Sequence, residues 1–181
     1  YNTFLGDAAG GANMTAASNT FVGQAAGTAA TTGGTNVAVG FQAGDAITTG
    51  GSNIALGVNA LGGNITGTDN VAVGVTALKV ATGSTNTAVG DGAGSLITSG
   101  AKNTILGRYN GNQGGLDIRT SSSNIVLSDG DGNPRITVDS SGDTTFAGNA
   151  TFPDNGKAIF GAGSDLQIYH DGSHSYIAEG G

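Results

Sequence analysis

Cysteine and tryptophan are absent from this chain of 181 residues, and only 10% of its residues are charged. Without cysteine there are no disulfide bonds and no thiolate chemistry, which is compatible with either side of a membrane. Acidic residues outnumber basic ones by 13 to six, and no Lys or Arg precedes Lys79. Since phosphate backbones and anionic lipids attract positive charge, we expect neither nucleic-acid binding nor membrane insertion. No apolar run reaches the length of a transmembrane helix.

Glycine is the abundant residue, with 35 positions. A globular domain of average composition has roughly 7% glycine and about 25% charged residues, so this chain belongs to a different class. The glycines recur with a fixed period and the apolar residues keep register with them, which a disordered linker does not require. Glycine does not recur at every third residue, which excludes a collagen triple helix.

One short phrase returns seven times: an Asn, two further residues, a Val or Leu, and then a Gly. The intervals between successive Asn residues are 17, 17, 17, 17, 16 and 17. A period this short and regular predicts a stacked array, because each repeat is too small to bury its own apolar face. The anchoring residues are Asn2, Asn19, Asn36, Asn53, Asn70, Asn86 and Asn103, and the closing glycines are Gly6, Gly23, Gly40, Gly57, Gly74, Gly90 and Gly107.

The three residues between the Asn and the Gly have the character of a β-strand. The first is always β-branched and the third is always Leu or Val. Alternate side chains of a strand share a face, so these two columns are expected to form one buried stripe. The column between them, from Phe4 to Ile105, is apolar as well. Since that middle column would be an exposed apolar stripe on a single rod, we expect three copies of the chain to assemble as a homotrimer.

Each closing glycine suits a corner with positive φ, or a close backbone approach. An alanine follows three positions later in six of the seven repeats, which indicates a narrow interior and the start of a second strand in each coil. Phrases of Thr and Gly, such as residues 47–50, end that strand. The recurrent Asn predicts a structural ladder of stacked side-chain amides, and a row of ligand-binding amides is the alternative.

The two positions after the closing glycine vary freely between repeats, as expected of an exposed edge. If the side of the rod binds a partner, the candidate contact residues are Phe41, Val58, Val75 and Tyr109. The alternative is an ordinary solvated corner that carries a few apolar residues.

The regular repeat ends after Gly111, and the next related phrase begins only at Asn124, later than the period would place it. Short strands and tight turns follow from there to the end of the chain. We therefore predict an all-β chain with three parts: a β-solenoid or β-roll of about seven 17-residue coils in residues 1–111, a linker in residues 112–123, and an intertwined, trimeric β-meander in residues 124–181.

Two stretches of the chain carry a resemblance to a known class of proteins. The phrase NVAVGFQAG in residues 36–44 resembles the repeats of bacteriophage tail fibres, especially those of marine phages and cyanophages, and is similar to head repeats of trimeric autotransporter adhesins. The ending DLQIYHDGSHSYI in residues 165–177 resembles a phrase common in marine phage structural proteins. The resemblance implies a homotrimeric, extracellular fibre on the virion that carries host recognition.

The resemblance also implies the partners and the surroundings of the chain. These are other tail or fibre proteins and a host cell-surface receptor, either a glycan or a protein, reached through a tip outside this chain. The bacterial cell surface is the alternative location if the chain is an adhesin head. Because the chain begins at Tyr1 within a repeat phrase, we expect it to be a segment of a longer polypeptide.

Two motifs are candidates for metal binding. Residues 129–133 imitate the opening of a calcium loop, but Pro134 and Ser140 stand where a Gly and a bidentate acid are needed, so we predict a β-turn. His170 and His174 flank a tight turn, and three copies of one His on a trimer axis would offer imidazole nitrogen to a transition metal. We prefer surface turn residues, and predict no metal and no cofactor.

Catalysis is not expected from this sequence. A glycan-cleaving tailspike, the other alternative, needs an acid and a base roughly 5 to 9.5 Å apart beside a sugar-binding groove. The acids of the repeats are scattered, no Trp is present to stack on a sugar, and the many Ser and Thr residues lack a His partner in the repeats. An ice-binding solenoid requires a flatter and more regular Thr ladder than these repeats offer.

Overall fold

The computed structural model describes residues 1–11 and 14–179. The chain forms two compact units, Tyr1–Ala147 and Gly148–Gly181. All regular secondary structure in the described residues is β-strand, and the first unit is a β-solenoid with one turn for each repeat of the sequence, as predicted. No helix in the described part of the chain is long and apolar enough to cross a bilayer.

Each of the seven repeats contributes one short strand to the first unit. These strands are β1 (Thr3–Leu5), β2 (Thr20–Val22), β3 (Val37–Val39), β4 (Ile54–Leu56), β5 (Val71–Val73), β6 (Thr87–Val89) and β7 (Thr104–Leu106). The remaining strands of this unit are β8 (Asn112–Gln113), β9 (Leu116–Asp117), β10 (Ile125–Ser128), β11 (Pro134–Val138) and β12 (Thr144–Phe146).

The repeat strands form one parallel sheet without offset between neighbours. The middle residues pair from coil to coil, so that Ala38 lies opposite Ala55 and Ala55 opposite Ala72. The period of the sequence is therefore one full turn of the solenoid, and equivalent positions stack in columns. The sheet order is β1-β2-β3-β4-β5-β6-β7-β10-β11-β12.

The two faces of each strand are the reverse of the predicted ones. The middle residue points into the coil, and Phe21, Ala38 and Ile105 are fully buried. The residues on either side of it point outward, and Val39 and Leu56 are 38% and 36% exposed. The coil is narrow and lined largely by alanine, so the larger branched side chains lie outside it. There, neighbours stacked along the sheet cover part of each one.

The predicted second strand in each coil is absent from the described residues. The alanine column does line the interior, and Ala43, Ala60 and Ala77 are fully buried. The residue before each of these alanines is left-handed, with φ of 53° at Gln42 and 55° at Asn59. A left-handed residue ends an extended strand, so the chain here passes through turns.

The closing glycines are required for two reasons, which Gly40 illustrates. Its φ is 137°, a value that L side chains rarely adopt. A Cβ added there would lie 2.6 Å from the carbonyl oxygen of Gly57 in the next coil. The corner therefore needs both the conformational freedom and the missing side chain of glycine.

The solenoid sheet extends beyond the predicted boundary at residue 111. The coil from Asn103 to Asn124 is longer than those before it, and its extra residues form the β8–β9 hairpin within the segment 112–123, which was expected to be a linker. Strand β10 then pairs in parallel with β7 as an eighth rung. Strand β11 pairs antiparallel with β10, and β12 pairs antiparallel with β11; the unit ends at Ala147. The division differs from the predicted one because an eighth anchor, Asn124, restores the register.

The second unit is a three-stranded antiparallel sheet. Its strands are β13 (Lys157–Phe160), β14 (Leu166–His170) and β15 (Ser175–Glu179), with β14 in the centre. None of residues 148–179 is buried.

The coil from Asn70 to Asn86 is one residue shorter than its neighbours, and this short coil interrupts one row of hydrogen bonds between coils. In the preceding pair of coils, the amide of Gly50 donates to the carbonyl of Ile65. No backbone bond of this kind joins residues 65–67 to the short coil, all of which lie in the described part of the chain. The side chain of Asn64 substitutes for it, since its Oδ1 accepts from the amide of Gly67 at 2.7 Å.

The same Asn64 side chain also carries an unsatisfied hydrogen-bond donor. It is fully buried, and its Nδ2 has no hydrogen-bond partner. Replacing Asn64 with Ala removes the acceptor for Gly67, and we expect a loss of about 1–2 kcal/mol in the free energy of unfolding. Inserting one Thr after Ala81 gives the short coil the usual length, and in the Asn64→Ala background it should restore the lost stability.

Thermal and denaturant unfolding followed by circular dichroism measures both effects. The same insertion after Ile47 makes a coil of the usual length one residue too long and is the matched control, which we expect to destabilise the protein. If the insertion after Ala81 is as harmful as this control in the Asn64→Ala background, Asn64 does not compensate for the short coil.

Candidate functional site

The repeated asparagines form a continuous ladder inside the solenoid. The amide nitrogen of Asn53 donates to Oδ1 of Asn36 at 2.9 Å, and that of Asn70 donates to Oδ1 of Asn53 at 3.0 Å. Within its own coil, Nδ2 of Asn53 donates to the carbonyl of Gly67 at 2.9 Å. The backbone amide-to-Oδ1 contact links every pair of neighbouring anchors from Asn2 to Asn124.

Asparagine suits this position because its side chain is both an acceptor and a double donor. One amide closes its own coil through Nδ2 and joins the next coil through Oδ1. The anchors from Asn19 to Asn103 are at most 1% exposed, while Asn2 at the first coil is exposed. A buried row whose hydrogen-bonding groups face the protein leaves no surface for a ligand, so the ladder is a structural element.

The outward residues of the strands place a row of branched apolar side chains along the solenoid. The first and third positions of each strand face out, and stacking places like residues beside each other along the sheet. Several of them remain clearly exposed: Val39 38%, Ile54 38%, Leu56 36%, Val89 39%, Leu106 43% and Ile125 43%. We call this surface, made by the outward residues of β1 to β7 and β10, the outer strand face.

Three of the four predicted contact residues lie at the surface. Phe41, Val58 and Val75 are 44%, 40% and 47% exposed, and each follows the closing glycine of its coil. Their coils are consecutive, so the three side chains occupy one column on the corner next to the outer strand face. Asp91 follows in the same column, so the apolar part of the column spans three coils.

Tyr109, the fourth predicted contact residue, is fully buried, so that prediction is wrong. Its carbonyl accepts from the amide of Gly94 at 2.8 Å, the role that the carbonyl of Ala93 plays for Leu78 in the coil before. The corner of this coil is thus one residue shorter than the others, and Tyr109 occupies the interior column of alanines. Its hydroxyl donates to the carbonyl of Leu116 at 2.9 Å, and burial raises the pKa of that hydroxyl.

A polar cleft of about 260 Å³ opens where the regular coils end, lined in part by Asp91, Arg108, Asn110, Gln113 and Asp131. Asp91 and Arg108 form an ion pair at 2.9 Å, with both side chains about half exposed. Such a surface pair contributes roughly 0 to 1 kcal/mol to stability. Asp91 and Arg108 occupy the same position of the repeat in neighbouring coils. This equivalence in the sequence predicts that their side chains are in contact. The cleft offers hydrogen bonds to a polar ligand, but its aspartate–arginine pair is already satisfied.

The motif that imitates a calcium loop is a hairpin turn between β10 and β11. Oδ1 of Asp129 accepts from the amides of Asp131 at 3.0 Å and Asn133 at 2.9 Å, and Oδ2 pairs with the guanidinium of Arg135. These contacts, the Asn133 amide first, lower the pKa of Asp129 to about 2. The carboxylate thus holds a turn that ends the parallel ladder.

Both histidines are exposed and belong to the second unit. The amide of Gly172 donates to Nδ1 of His170 at 3.0 Å, and Oδ1 of Asp154 lies 3.3 Å from the same nitrogen. The rings of His174 and Tyr176 form a T-shaped pair, with centroids 6.4 Å apart. Across residues 1–11 and 14–179 no three metal-ligating side chains are grouped within one chain.

Comparison with known proteins gives no match to a family model, to a curated protein or to a solved structure. The likeness to tail fibres therefore depends on the repeat phrases and on the ending of the chain.

The ladder predicts a large difference between a buried and an exposed anchor. Replacing Asn53 with Ala leaves the amide of Asn70 and the carbonyl of Gly67 buried without partners, and we expect a loss of about 3–5 kcal/mol. Asn2→Ala is the matched control at the exposed end and should cost about 1 kcal/mol or less. Thermal unfolding of the two variants measures the difference, and equal losses would mean that the ladder does not stabilise the coils.

The Asp129 turn predicts a dependence on acid pH. The pKa of about 2 in the folded chain lies below the ordinary value of 3.8, so the folded state favours the charged carboxylate. Its contribution is present above about pH 4 and is lost as the pH falls through 2. In an NMR titration, the Asn133 amide shift should follow this change with a midpoint near 2.

The Asp129→Asn variant should remove that titration, whereas Asp139→Asn, in the equivalent turn between β11 and β12, should leave it unchanged. A midpoint near 4 in the native chain would show that the carboxylate is not held by the turn.

Proposed function

We propose that the chain is a structural and adhesive segment of a bacteriophage tail fibre. In this proposal, three copies form a rod that spaces the binding site for a host receptor from the virion and presents it. The resemblance of the repeat phrases and of the terminal phrase to phage fibre proteins supports the biological setting. The physical role has separate support from the solenoid itself.

The observation that carries the spacer role is the unbroken stacking of equivalent coils. Every anchor from Asn2 to Asn124 is joined to the next by the same contact, and every strand pairs in register. Each rung advances the stack by about 4.8 Å, so eight rungs span roughly 34 Å. Equivalent coils add length in fixed steps, which is the property that a spacer needs.

The outer strand face supports the trimer. Its apolar side chains, including Ile54 and Leu106, run along eight rungs and are more than a third exposed at several positions. A monomer rarely exposes a contiguous apolar patch larger than a few hundred Å². Copies of the same chain have the same length and spacing of rungs, so they are well matched to cover this face. A bacterial adhesin head would share this physical role at the cell surface.

Coil number should determine fibre length without determining whether the fibre folds. Removing the segment 36–52 deletes one whole coil, leaves Asn53 in the phase of Asn36, and retains Asn64 beside the short coil. Adding four further copies of the same segment should lengthen the rod by about 19 Å. We expect both variants to stay folded, and virions that carry them to keep attaching to host cells.

Circular dichroism, electron microscopy and an attachment assay provide the measurements, with gold-labelled antibody locating the chain on the virion or on a cell surface. Removing the segment 36–44, about half a coil, is the matched control and should unfold the array. Label on a bacterial cell surface and not on virions would favour the adhesin alternative.

A triple substitution distinguishes the spacer role of the coils from direct binding of the receptor by the coils. The triple variant Phe41→Ser, Val58→Ser and Val75→Ser changes the exposed corner column and leaves the ladder intact. If this folded variant no longer attaches, the coils contain the receptor site and the spacer role is wrong.

A further inference from the structure

The sheet of the second unit has two chemically different faces. Because side chains alternate along a strand, the register places Lys157, Tyr169 and Tyr176 in one row on one face. Lys157 lies over the ring of Tyr169 with its Nζ 4.4 Å from the centroid, and the rings of Tyr169 and Tyr176 stack with centroids 4.9 Å apart. On this face, the ammonium group and the two aromatic rings therefore interact with one another at the surface of the protein.

The middle of the opposite face is apolar and uncovered. The register places Ala158, Ile168 and Ile177 in one row, and Phe160 opposite Leu166 in the next. Ile168, Ile177 and Phe160 are 44%, 80% and 52% exposed. We call this surface, formed by Ala158, Phe160, Leu166, Ile168 and Ile177, the isoleucine face.

The second unit requires something to cover this face. None of residues 148–179 is buried, although three strands are held in one register. Ordering a residue costs roughly 1–2 kcal/mol of conformational entropy, and a small sheet offsets that cost only by burying an apolar face. Hydrogen bonds between exposed strands contribute too little net free energy to do so.

We propose that the isoleucine faces of three copies of this chain pack against one another around a common axis. The proposal rests on the homotrimer of the proposed function, and it assigns the surface that the trimer uses in this unit. A second copy of the chain matches the chemistry of this face, since the central row of Ala158, Ile168 and Ile177 has no charged side chain. Glu179 and His170 lie at opposite ends of the face, where solvent can reach them.

The width of the sheet fits three copies around one axis. Three strands about 4.8 Å apart make a face of roughly 14 Å, and a triangle of such faces places each sheet about 4 Å from the axis. Packed sheets lie about 10 Å apart, so the side chains of each sheet fill about 5 Å. This depth is close to the roughly 4 Å between each sheet and the axis. Isoleucine, leucine and phenylalanine therefore fill the triangular space.

The edges of the sheet favour the same arrangement. Strands β13 and β15 are both outer strands, and each leaves one row of backbone groups unpaired within the sheet. Two sheets packed face to face would leave four such edges open, whereas in a triangle each β13 meets the β15 of a neighbour. The three-fold arrangement covers the apolar face and all the edges together.

Single cysteines test this surface, because the chain has no cysteine of its own. Ile168 lies on the central strand at the middle of the isoleucine face, and Tyr169 lies next to it on the opposite face. The full-length Ile168→Cys variant should form disulfides between copies on mild oxidation, because three such side chains meet at the axis within the roughly 4 Å Cβ separation that a disulfide needs. The matched Tyr169→Cys variant should not.

The yield of cross-linked chains reports the number of copies. A disulfide joins two chains, so in a trimer complete oxidation links about two thirds of the chains and leaves about one third as monomers on a non-reducing gel. Light scattering on the same samples gives the number of copies independently. This pattern, together with a trimer by light scattering, supports the proposal.

Other outcomes overturn it in distinguishable ways. Linkage of nearly all chains into dimers would indicate a two-sheet sandwich. Equal linkage of the two variants, or none from Ile168→Cys in a protein that light scattering shows to be a trimer, would mean that another surface covers or replaces this face, while the fibre function stands. A folded monomer at micromolar concentration would overturn both this proposal and the homotrimer on which it rests.

Discussion

Backbone hydrogen bonding between successive coils, in one fixed register, is the constraint on which the solenoid depends. Each repeat strand, such as β3 at Val37–Val39, is too short to be stable alone. Register is maintained outside the strands as well, since the amide of Asn59 donates to the carbonyl of Phe41, and the amide of Thr76 to that of Val58. The unusual left-handed conformations of Asn59 and Thr76 persist because a bond to the coil before and one to the coil after fix the position of the corner.

This close stacking explains which residues can occupy each column. Adjacent coils are separated by one strand spacing, so a glycine is needed where a Cβ would meet the carbonyl of the next coil. Alanine fills the interior columns because the two walls of the coil are close together, and Tyr109 enters only where the coil widens into the β8–β9 hairpin. The larger branched residues are then left for the outside. An apolar exterior thus follows from a narrow interior, and this exterior is the surface that the proposed trimer covers.

The period, the all-β class and the strand positions could be predicted from the sequence because they depend on local repetition. The direction of the strand faces could not. Both columns are apolar, and only the width of the coil, which depends on Ala43 and Ala60 across from the strand, decides which one fits inside. Tyr109 was misplaced for a related reason, because alignment on the Asn assumes corners of equal length and this corner lacks one residue. The role of Asn64 depends on a missing residue in the next coil, and only the register of hydrogen bonds makes it visible.

The end of the solenoid shows how such a ladder is closed. A parallel array of coils always presents one further row of unpaired backbone groups, which would pair with any exposed strand. Here the eighth rung, β10, turns back through the Asp129 hairpin and pairs with β11, which reverses the chain direction and ends the repeat. The charged turn and the antiparallel pair replace another coil, so they set the length of the array. The same aspartate-centred turn recurs in the second unit, where Asp171 accepts from the amides of Ser173 and His174 and its pKa is lowered. In that unit the turn joins β14 and β15, and in our proposal the isoleucine face supplies the stability that the solenoid obtains from the hydrogen bonds between its coils.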